Sequence, residues 1–127
     1  MTELRRILPD ALEEILRKHL AWLNDDPGGE KADLSYADLS YADLSYADLR
    51  SADLNYADLR SADLDMSAFP LWCGSLGIKV DIRLSAQIAY HFCRFETDDE
   101  EVKAAQQAIK TLANKFHRIG NDVEKIP

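Results

Sequence analysis

Residues 32–66 read ADLSY ADLSY ADLSY ADLRS ADLNY ADLRS ADLDM, which is seven consecutive five-residue units without a break in register. Ala, Asp and Leu are invariant at the first three positions of every unit. The fourth position is Ser, Arg, Asn or Asp, and the fifth is Tyr, Ser or Met. Such regularity does not arise by chance, so this repeat decides the fold of the tract.

A period of five fits neither regular secondary structure. An amphipathic helix places apolar residues at alternating spacings of about 3 and 4, and a strand repeats at about 2. A short extended stretch followed by a bend does fit, because Ala and Leu lie two residues apart and point the same way, with Asp opposite. The last two positions, often Ser or Asn, suit the bend. The repeat therefore predicts a closed tube with Leu inside and Asp outside.

The motif ADLXX resembles that of the pentapeptide-repeat family, A(D/N)LXX. The resemblance implies a short right-handed quadrilateral β-helix of about two coils, with four units in each coil. It also implies that the central Leu and the first Ala of each unit face inward. These residues are Leu34, Leu39, Leu44, Leu49, Leu54, Leu59 and Leu64, and Ala32, Ala37, Ala42, Ala47, Ala52, Ala57 and Ala62. A degenerate eighth unit, SAFPL at 67–71, would place Phe69 in the role of Leu.

Two coils leave the central Leu residues near open ends, and solenoids need caps. We expect one domain over 1–127, composed of an N-terminal helical cap (1–31), the repeat β-helix (32–71) and a C-terminal helical cap (72–127). Together these predict a mixed α and β fold.

The N-terminal cap is predicted to be a helix over 9–24. Pro9 suits its first position. The apolar face comprises Leu12, Ile15, Leu16, His19, Leu20 and Leu23. Residues 1–8 are expected to form a short helix or a frayed arm.

The C-terminal cap is predicted to contain two helices that close the second end of the tube. Asp81 can cap the first helix, over 82–94, and the second spans about 99–118 with Gly120 as its stop. The second helix is expected to bury Val102, Ala105, Ile109, Leu112 and Phe116.

The composition limits the partners. The 127 residues carry a net charge of −8, with 30% charged and 46% hydrophobic residues, which is typical of a globular chain rather than a disordered one. Direct binding to nucleic acid or to an anionic membrane is disfavoured, and a basic nucleic-acid-binding protein or complex is the expected partner. The sequence shows no bilayer-spanning run and no signal-peptide core, so a cytoplasmic location is expected, in a bacterial host cell if the protein is phage-encoded.

No cofactor and no metal are expected. Cys73 and Cys93 fit a reducing compartment and are expected to be buried apolar residues. Their spacing with His91, and with His19 or His117, matches no zinc signature. No Ser-His-Asp arrangement or Gly-rich phosphate loop is present, so we expect no enzymatic activity.

The repeat tract holds eight Asp and two Arg, and its net charge is therefore 2 − 8 = −6. Four units per coil would stack Asp33 with Asp53, Asp38 with Asp58, and Asp43 with Asp63. Arg50 and Arg60 are expected to lie away from these stacks. The face built from 42–46 and 62–66 would then be the most acidic.

Two interpretations of the Asp residues remain open. In one, Asp favours the turn and stays solvated. In the other, a rigid array of carboxylates imitates DNA phosphates and loses little entropy on binding. Some members of the resembled family are DNA mimics that bind type II topoisomerases, although they have longer tubes that dimerise end to end.

The expected function is thus that of an acidic DNA mimic, which blocks the nucleic-acid-binding surface of its target. Small acidic proteins of this type are commonly carried by phages and mobile elements. The target would be a CRISPR effector, as for an anti-CRISPR protein, or DNA gyrase or another topoisomerase. The candidate partner-binding residues are Asp33, Asp38, Asp43, Asp48, Asp53, Asp58, Asp63 and Asp65, with Tyr36, Tyr41, Tyr46 and Tyr56. These Tyr residues either pack along the corners or form an exposed aromatic ladder.

The alternative is a structural protein–protein interaction module or an oligomerising adaptor that uses apolar cap surfaces. A dense apolar group would serve as the core of the lid or as a self-association patch that supports a homodimer. This group comprises Phe69, Leu71, Trp72, Leu76, Ile78 and Val80.

Overall fold

The computed structural model describes residues 3–127 and divides them into two compact units, one ending at Lys79 and the other beginning at Val80. The first unit contains β1 (Arg5–Arg6), α1 (Pro9–Leu23) and β2 (Ala37–Asp38). The second contains α2 (Ile82–Cys93) and α3 (Glu100–Ala113). Over the described residues the chain is therefore mixed α and β, with three helices and one two-stranded parallel sheet.

The repeat tract returns beside itself every 20 residues, which is four pentapeptides. Isolated parallel bridges pair Asp33 with Asp53, Asp43 with Asp63, and Asp48 with Ala68. Each contact between coils uses backbone groups: the Leu34 N–H donates to the Asp53 carbonyl at 2.7 Å, and the Asp53 N–H donates to the Ala32 carbonyl at 3.1 Å. The predicted stacking of the repeat Asp residues is confirmed.

The central Leu residues form the core of this coil. All seven are buried, and six of them have no more than 2% of their surface exposed: Leu34, Leu39, Leu44, Leu49, Leu54 and Leu59. Their inward orientation is therefore confirmed. The first-position Ala residues are also buried except Ala42 and Ala47, which are half-buried. Each buried Leu contributes roughly 1.5–3 kcal/mol, so this column is the main source of stability for the tract.

A tight turn joins each unit to the next. The Leu34 carbonyl accepts from the Ala37 N–H at 3.1 Å, and Tyr36, the third residue of this turn, has a φ of 57°. A positive φ at that position is the feature of a type II turn, where Gly or Asn is usual. The fifth position of every repeat unit adopts this conformation: Tyr36, Tyr41, Tyr46, Ser51, Tyr56, Ser61 and Met66.

The coil continues beyond residue 71, where the sequence predicts its end. The Leu54 N–H donates to the Gly74 carbonyl at 2.7 Å, and Asp58 forms a bridge with Lys79. The last offset is 79 − 58 = 21, so one residue is inserted after the regular repeats. The Trp72 indole N–H donates to the Ala52 carbonyl at 3.0 Å, where a backbone N–H would otherwise donate.

The expectation that the apolar group of residues 69–80 forms a buried lid core is wrong. Leu71 is 90% exposed, Leu76 is 59% exposed and Trp72 is 47% exposed. Backbone groups of residues 74–79 and the Trp72 indole make the contacts with the coil here, and the Leu76 N–H also donates to Asn55 Oδ1 at 2.7 Å. Leu71 and Leu76 lie at outward fourth or fifth positions of the continuing coil and not at the inward third position, so the coil does not bury them.

Residues 5–6 form neither a helix nor a frayed arm, and residues 1–2 lie outside the described part of the chain. β1 pairs in parallel with β2, with Arg5 opposite Ala37. The Arg5 N–H donates to the Tyr36 carbonyl at 2.6 Å, and its guanidinium donates to the Ser35 and Asp33 carbonyls, each at 2.9 Å. The first coil exposes these carbonyls at its edge, and the arm supplies the donors they lack.

Helix α1 is attached to the first coil by a buried histidine. The Nδ1 of His19 accepts the Ala32 N–H at 2.9 Å, and its Nε2 lies 2.7 Å from the Arg50 carbonyl. Because Nδ1 accepts, the proton must reside on Nε2, which donates to Arg50. The apolar face of the helix is narrower than predicted, since Leu20 is 48% exposed.

We expect the change His19→Leu to destabilise the first unit by about 2–4 kcal/mol, because it leaves the Ala32 N–H and the Arg50 carbonyl buried without partners. Urea unfolding followed by tryptophan fluorescence measures this directly, since both tryptophans lie in the first unit. The control is His91→Leu in the second unit, at an exposed position. Equal unfolding midpoints for the two variants would contradict the anchoring role of His19.

The second unit forms around its two helices. Asp81 caps α2, as predicted, and its side chain accepts from the Leu84 N–H. Helix α3 begins after its cap residue Asp99 and ends at Ala113, earlier than the predicted 118. It ends there because the Asn114 side chain pairs with the Ile126 backbone, donating to its carbonyl at 3.0 Å and accepting from its N–H at 2.8 Å.

The core of this unit comprises Ala89, Tyr90, Ala113 and Phe116. Ala105, predicted to be buried, is exposed. Gly120 is not the helix stop. It lies in a later turn with a φ of 90°. The closing of the coil by these helices stays a prediction.

Candidate acidic and aromatic interface

The side chain of each repeat Asp from Asp33 to Asp63 stabilises the bend of its own unit with a hydrogen bond. One carboxylate oxygen, Oδ1, accepts the backbone N–H two residues later, at 2.9–3.2 Å. This contact forms an Asx-turn. This contact directly supports the interpretation that Asp stabilises the turn. Whether an Asp also presents its charge to solvent depends on the contacts of its other carboxylate oxygen, Oδ2.

Ser at the fourth position strengthens this contact. The Ser35, Ser40 and Ser45 hydroxyls donate to the same Oδ1 atoms at 2.6, 2.6 and 2.5 Å. The Ser45 hydroxyl and N–H hold the pKa of Asp43 below its usual value. The corresponding groups of Ser35 lower the pKa of Asp33, with Arg5 as a weaker cause. These two carboxylates are therefore ionised at neutral pH.

Arg at the fourth position neutralises the charge of the Asp in its own unit. The Arg50 guanidinium donates to both oxygens of Asp48, at 2.8 and 2.6 Å, and Arg60 binds Asp58 in the same way at 2.9 and 2.6 Å. The expectation that neither Arg lies beside a stacked Asp is wrong. The bend brings residues two apart together within one unit, which coil-to-coil stacking does not consider.

The expectation that every Asp faces solvent fails at Asp58, which is 3% exposed. The hydrogen bond from Arg60 is the main reason that its pKa is lowered, and Lys79 contributes. The Asp58 carboxylate is buried while the Arg60 side chain is 57% exposed, so Asp58 is neutralised by Arg60 and its charge is not presented to another protein.

Exposed carboxylates are concentrated in the first coil. Asp33, Asp38 and Asp43 are exposed, whereas Asp48, Asp53, Asp63 and Asp65 are half-buried. Asp33 lies 3.6 Å from Arg5, a neutralising partner that the repeat pattern could not indicate. The face of 42–46 and 62–66 brings Asp43 beside Asp63, as predicted, and the Asp65 N–H donates to Asp63 at 2.9 Å.

The four repeat Tyr residues divide into two kinds. Tyr36 stacks on Tyr56 with ring centroids 5.0 Å apart, as the register predicts. Tyr41 and Tyr46 are 83% and 78% exposed, so they do not pack along the corners. Tyr41 and Tyr46 flank the exposed Asp43 along the chain, and an exposed aromatic ring can hold a cationic side chain.

The cysteines and histidines form no metal site in the part of the chain that the structure describes. Cys73 is exposed, which corrects the expectation that both cysteines are buried. Cys93 is half-buried, and burial raises the pKa of its thiol. Lys31, which the sequence did not single out, lies 4.6 Å from the Trp72 ring centre and 5.8 Å from that of Trp22.

Coil, turn and surface together define an acidic repeat protein with a short Leu-filled core. Residues 32–65 match the family model described as pentapeptide repeats (8 copies). The tract thus belongs to the pentapeptide-repeat family, as the sequence predicts. No curated protein and no solved structure matches the chain. Among residues 3–127, no helix has the length and apolar character needed to cross a membrane.

Replacing Tyr41 by Asn should leave the first unit unchanged or stabilise it by up to about 1 kcal/mol, because Asn tolerates a positive φ and the ring is exposed. The matched change Tyr36→Asn should destabilise it by about 0.5–1.5 kcal/mol, since it removes the stack with Tyr56. Urea unfolding monitored by tryptophan fluorescence compares the two. Equal losses would show that Tyr41 supports the fold.

We expect acid to lower the free energy of unfolding of the first unit, because it protonates the Asp carboxylates. Their pKa values in the folded state are lowered at Asp33, Asp43, Asp48 and Asp58. The stabilisation is therefore present above the unfolded pKa of about 3.9 and is lost as the pH falls through the folded values. The urea midpoint should fall steeply below about pH 4.

The variant Asp58→Asn provides the control for this acid limb. It should unfold at lower urea at neutral pH, because Arg60 loses its charged partner, and it should lose less on acidification. A wild-type midpoint that is the same in acid as at neutral pH would contradict the role of the carboxylates.

Proposed function

We propose that this chain is a non-enzymatic acidic binding protein that acts as a DNA mimic. Its repeat tract would be a right-handed quadrilateral β-helix of about two coils that occupies the nucleic-acid-binding surface of a basic target. One observation carries the proposal: the 20-residue register stacks repeat Asp residues, such as Asp43 and Asp63, in rows on the outside of a Leu-filled coil.

Rigidity supports this proposal. Hydrogen bonds to Ser fix Oδ1 of Asp33, Asp38 and Asp43, so these carboxylates lose little freedom on binding. The lowered pKa of Asp43 keeps it charged under ordinary conditions. A preformed array of ionised oxygens is what a phosphate-binding surface recognises in DNA.

The size of the array limits the footprint. Each Asp row holds two carboxylates on adjacent rungs, which lie roughly 4.8 Å apart. The phosphates of one DNA strand are spaced by about 3.4 Å along the axis, and one row would therefore replace about two successive phosphates. Because Arg50 and Arg60 neutralise Asp48 and Asp58, the contact is centred on the first coil.

A CRISPR effector and DNA gyrase or a related topoisomerase are the two target classes we propose, since each binds duplex DNA on a basic surface. A row that replaces about two phosphates is short for either enzyme, so it would block a local step such as initial DNA capture rather than fill a whole channel.

The exposed apolar side chains favour a second candidate, a protein–protein interaction module. Leu71 is 90% exposed and Leu76 is 59% exposed. In this case binding would depend on apolar contact and would persist at high salt.

The test compares two doubly substituted proteins that lose the same charge. Asp38→Asn with Asp43→Asn removes two exposed first-coil carboxylates, and Asn Oδ1 preserves the turn. Asp98→Asn with Glu101→Gln is the control on the second unit, where both residues are exposed. Each protein is titrated into purified gyrase, and separately into a CRISPR effector, bound to labelled duplex DNA.

DNA mimicry predicts that the wild type and the control displace DNA from at least one target, with an effect that fades as salt rises, while the first-coil variant is roughly tenfold weaker. If the two variants act equally, or if no DNA is displaced from either target, the mimicry proposal fails for these enzymes. Loss of binding in Leu71→Ser alone would favour the interaction module.

A further inference from the structure

We propose that Tyr41, Asp43 and Tyr46, here called the aromatic–acidic surface, bind an arginine side chain of a basic protein segment. This inference rests on the proposed function, because it specifies which face of the coil makes contact and which residue type on the partner it recognises. The evidence comes from three units of identical sequence that the structure treats differently.

Units 32–36, 37–41 and 42–46 all read ADLSY. In the pentapeptide 32–36, the Tyr ring and the carboxylate both have a partner in the same chain: Tyr36 stacks on Tyr56 at 5.0 Å, and Arg5 lies 3.6 Å from Asp33. A Tyr ring and a carboxylate in this repeat are therefore already seen with an aromatic and a cationic partner from the same chain.

Within residues 3–127, the pentapeptides 37–41 and 42–46 have no aromatic partner for their Tyr and no cationic partner for their Asp. Tyr41 and Tyr46 are 83% and 78% exposed, and neither takes part in a ring contact within residues 3–127. One coil further on, their neighbours are Ser61 and Met66, which supply no second ring. Two large aromatic side chains this exposed, on consecutive units, supply the apolar area that an interaction surface uses.

The turn does not require Tyr at these positions. Tyr41 and Tyr46 have φ values of 63° and 60°, a conformation that disfavours bulky residues. Ser51 and Ser61 adopt the same conformation at the equivalent position of other units. Since Tyr gains no packing in return for this strain, its retention points to a role outside the fold.

Asp43 identifies the partner group. Ser45 donates twice to Oδ1, at 3.0 and 2.5 Å, and the second oxygen, Oδ2, accepts no hydrogen bond from the described residues. At Asp48 the same oxygen is bound by Arg50 at 2.6 Å, which shows that a guanidinium fits this repeat position. An arriving guanidinium can donate to Oδ2 of Asp43 and lie flat on a Tyr ring.

Arginine is favoured over lysine by this geometry. The guanidinium is planar and weakly hydrated, so it stacks on an aromatic ring while it donates to a carboxylate. An ammonium is strongly hydrated and satisfies only the charge. A surface that used charge alone would not discriminate between the two.

The experiment titrates an oligoarginine peptide and an oligolysine peptide of equal length into the full chain by calorimetry. The variant Tyr41→Ser with Tyr46→Ser keeps the net charge of −8 and introduces a residue that the repeat already uses at 51 and 61. We expect oligoarginine to bind the wild type more tightly than oligolysine, and the variant to lose about tenfold in oligoarginine affinity.

The matched control is Asp48→Asn, in which the altered carboxylate is already paired with Arg50; its oligoarginine affinity should stay within about twofold. Wild-type protein labelled at its tyrosine rings provides a measurement that needs no variant. Oligoarginine should shift the ring signals of Tyr41 and Tyr46 and leave that of Tyr90, in the core of the second unit, unchanged.

The outcomes separate this inference from the proposed function. If Asp38→Asn with Asp43→Asn weakens oligoarginine binding and the Tyr variant does not, the aromatic inference is overturned and charge-based mimicry stands. If both variants lose affinity, the inference and charge-based mimicry both stand; if the Tyr variant alone loses affinity, Asp43 does not bind the arginine and both are overturned. Equal affinity of both peptides for the wild type, with no shift at Tyr41 or Tyr46, also overturns it.

Discussion

The backbone hydrogen bond from each repeat Leu between Leu34 and Leu59 to the next coil is the contact on which the rest of the structure depends. The Leu39 N–H, for example, donates to the Asp58 carbonyl at 2.9 Å, and this register keeps Leu inside and Asp outside. The end of the repeats shows what the register requires: Leu71 and Leu76 do not occupy the inward third position, and both are exposed. An insertion inside 32–66 would move the Leu residues that follow it away from that position.

The turn and charge interpretations of Asp prove compatible, because the two carboxylate oxygens have different tasks. Oδ1 holds the bend in every unit from Asp33 to Asp63, whatever follows. The fourth residue of the unit then determines the contacts of Oδ2. Ser45 binds only Oδ1 of Asp43, so Oδ2 stays available, whereas Arg50 binds Oδ2 of Asp48. A repeat protein can therefore tune its surface charge at the fourth position without altering its core.

Whether a feature could be predicted from the sequence depends on how far apart along the chain its interacting residues lie. The Leu column, the Asp stacks and the Asp81 cap depend on spacing alone, and all of them were predicted. The β1 arm, the binding of His19 between Ala32 and Arg50, and the burial of Asp58 depend on residues 13 or more positions apart or on unpatterned segments. The i, i+2 pair of Asp48 and Arg50 follows from the predicted bend, which brings residues two apart together within one unit.

Identical units cannot have identical roles in a coil with ends. Units 32–36 and 42–46 share every residue, yet Arg5 and Tyr56 contact Asp33 and Tyr36 of the first, whereas Asp43 and Tyr46 of the second are exposed to solvent. Arg5 comes from outside the repeats, so the flanking arm determines which copy of the motif is neutralised. The acidic surface of this protein is therefore shaped by its N-terminal arm as much as by the repeat, and an account based on the repeat motif alone would assign the same charge to faces that differ.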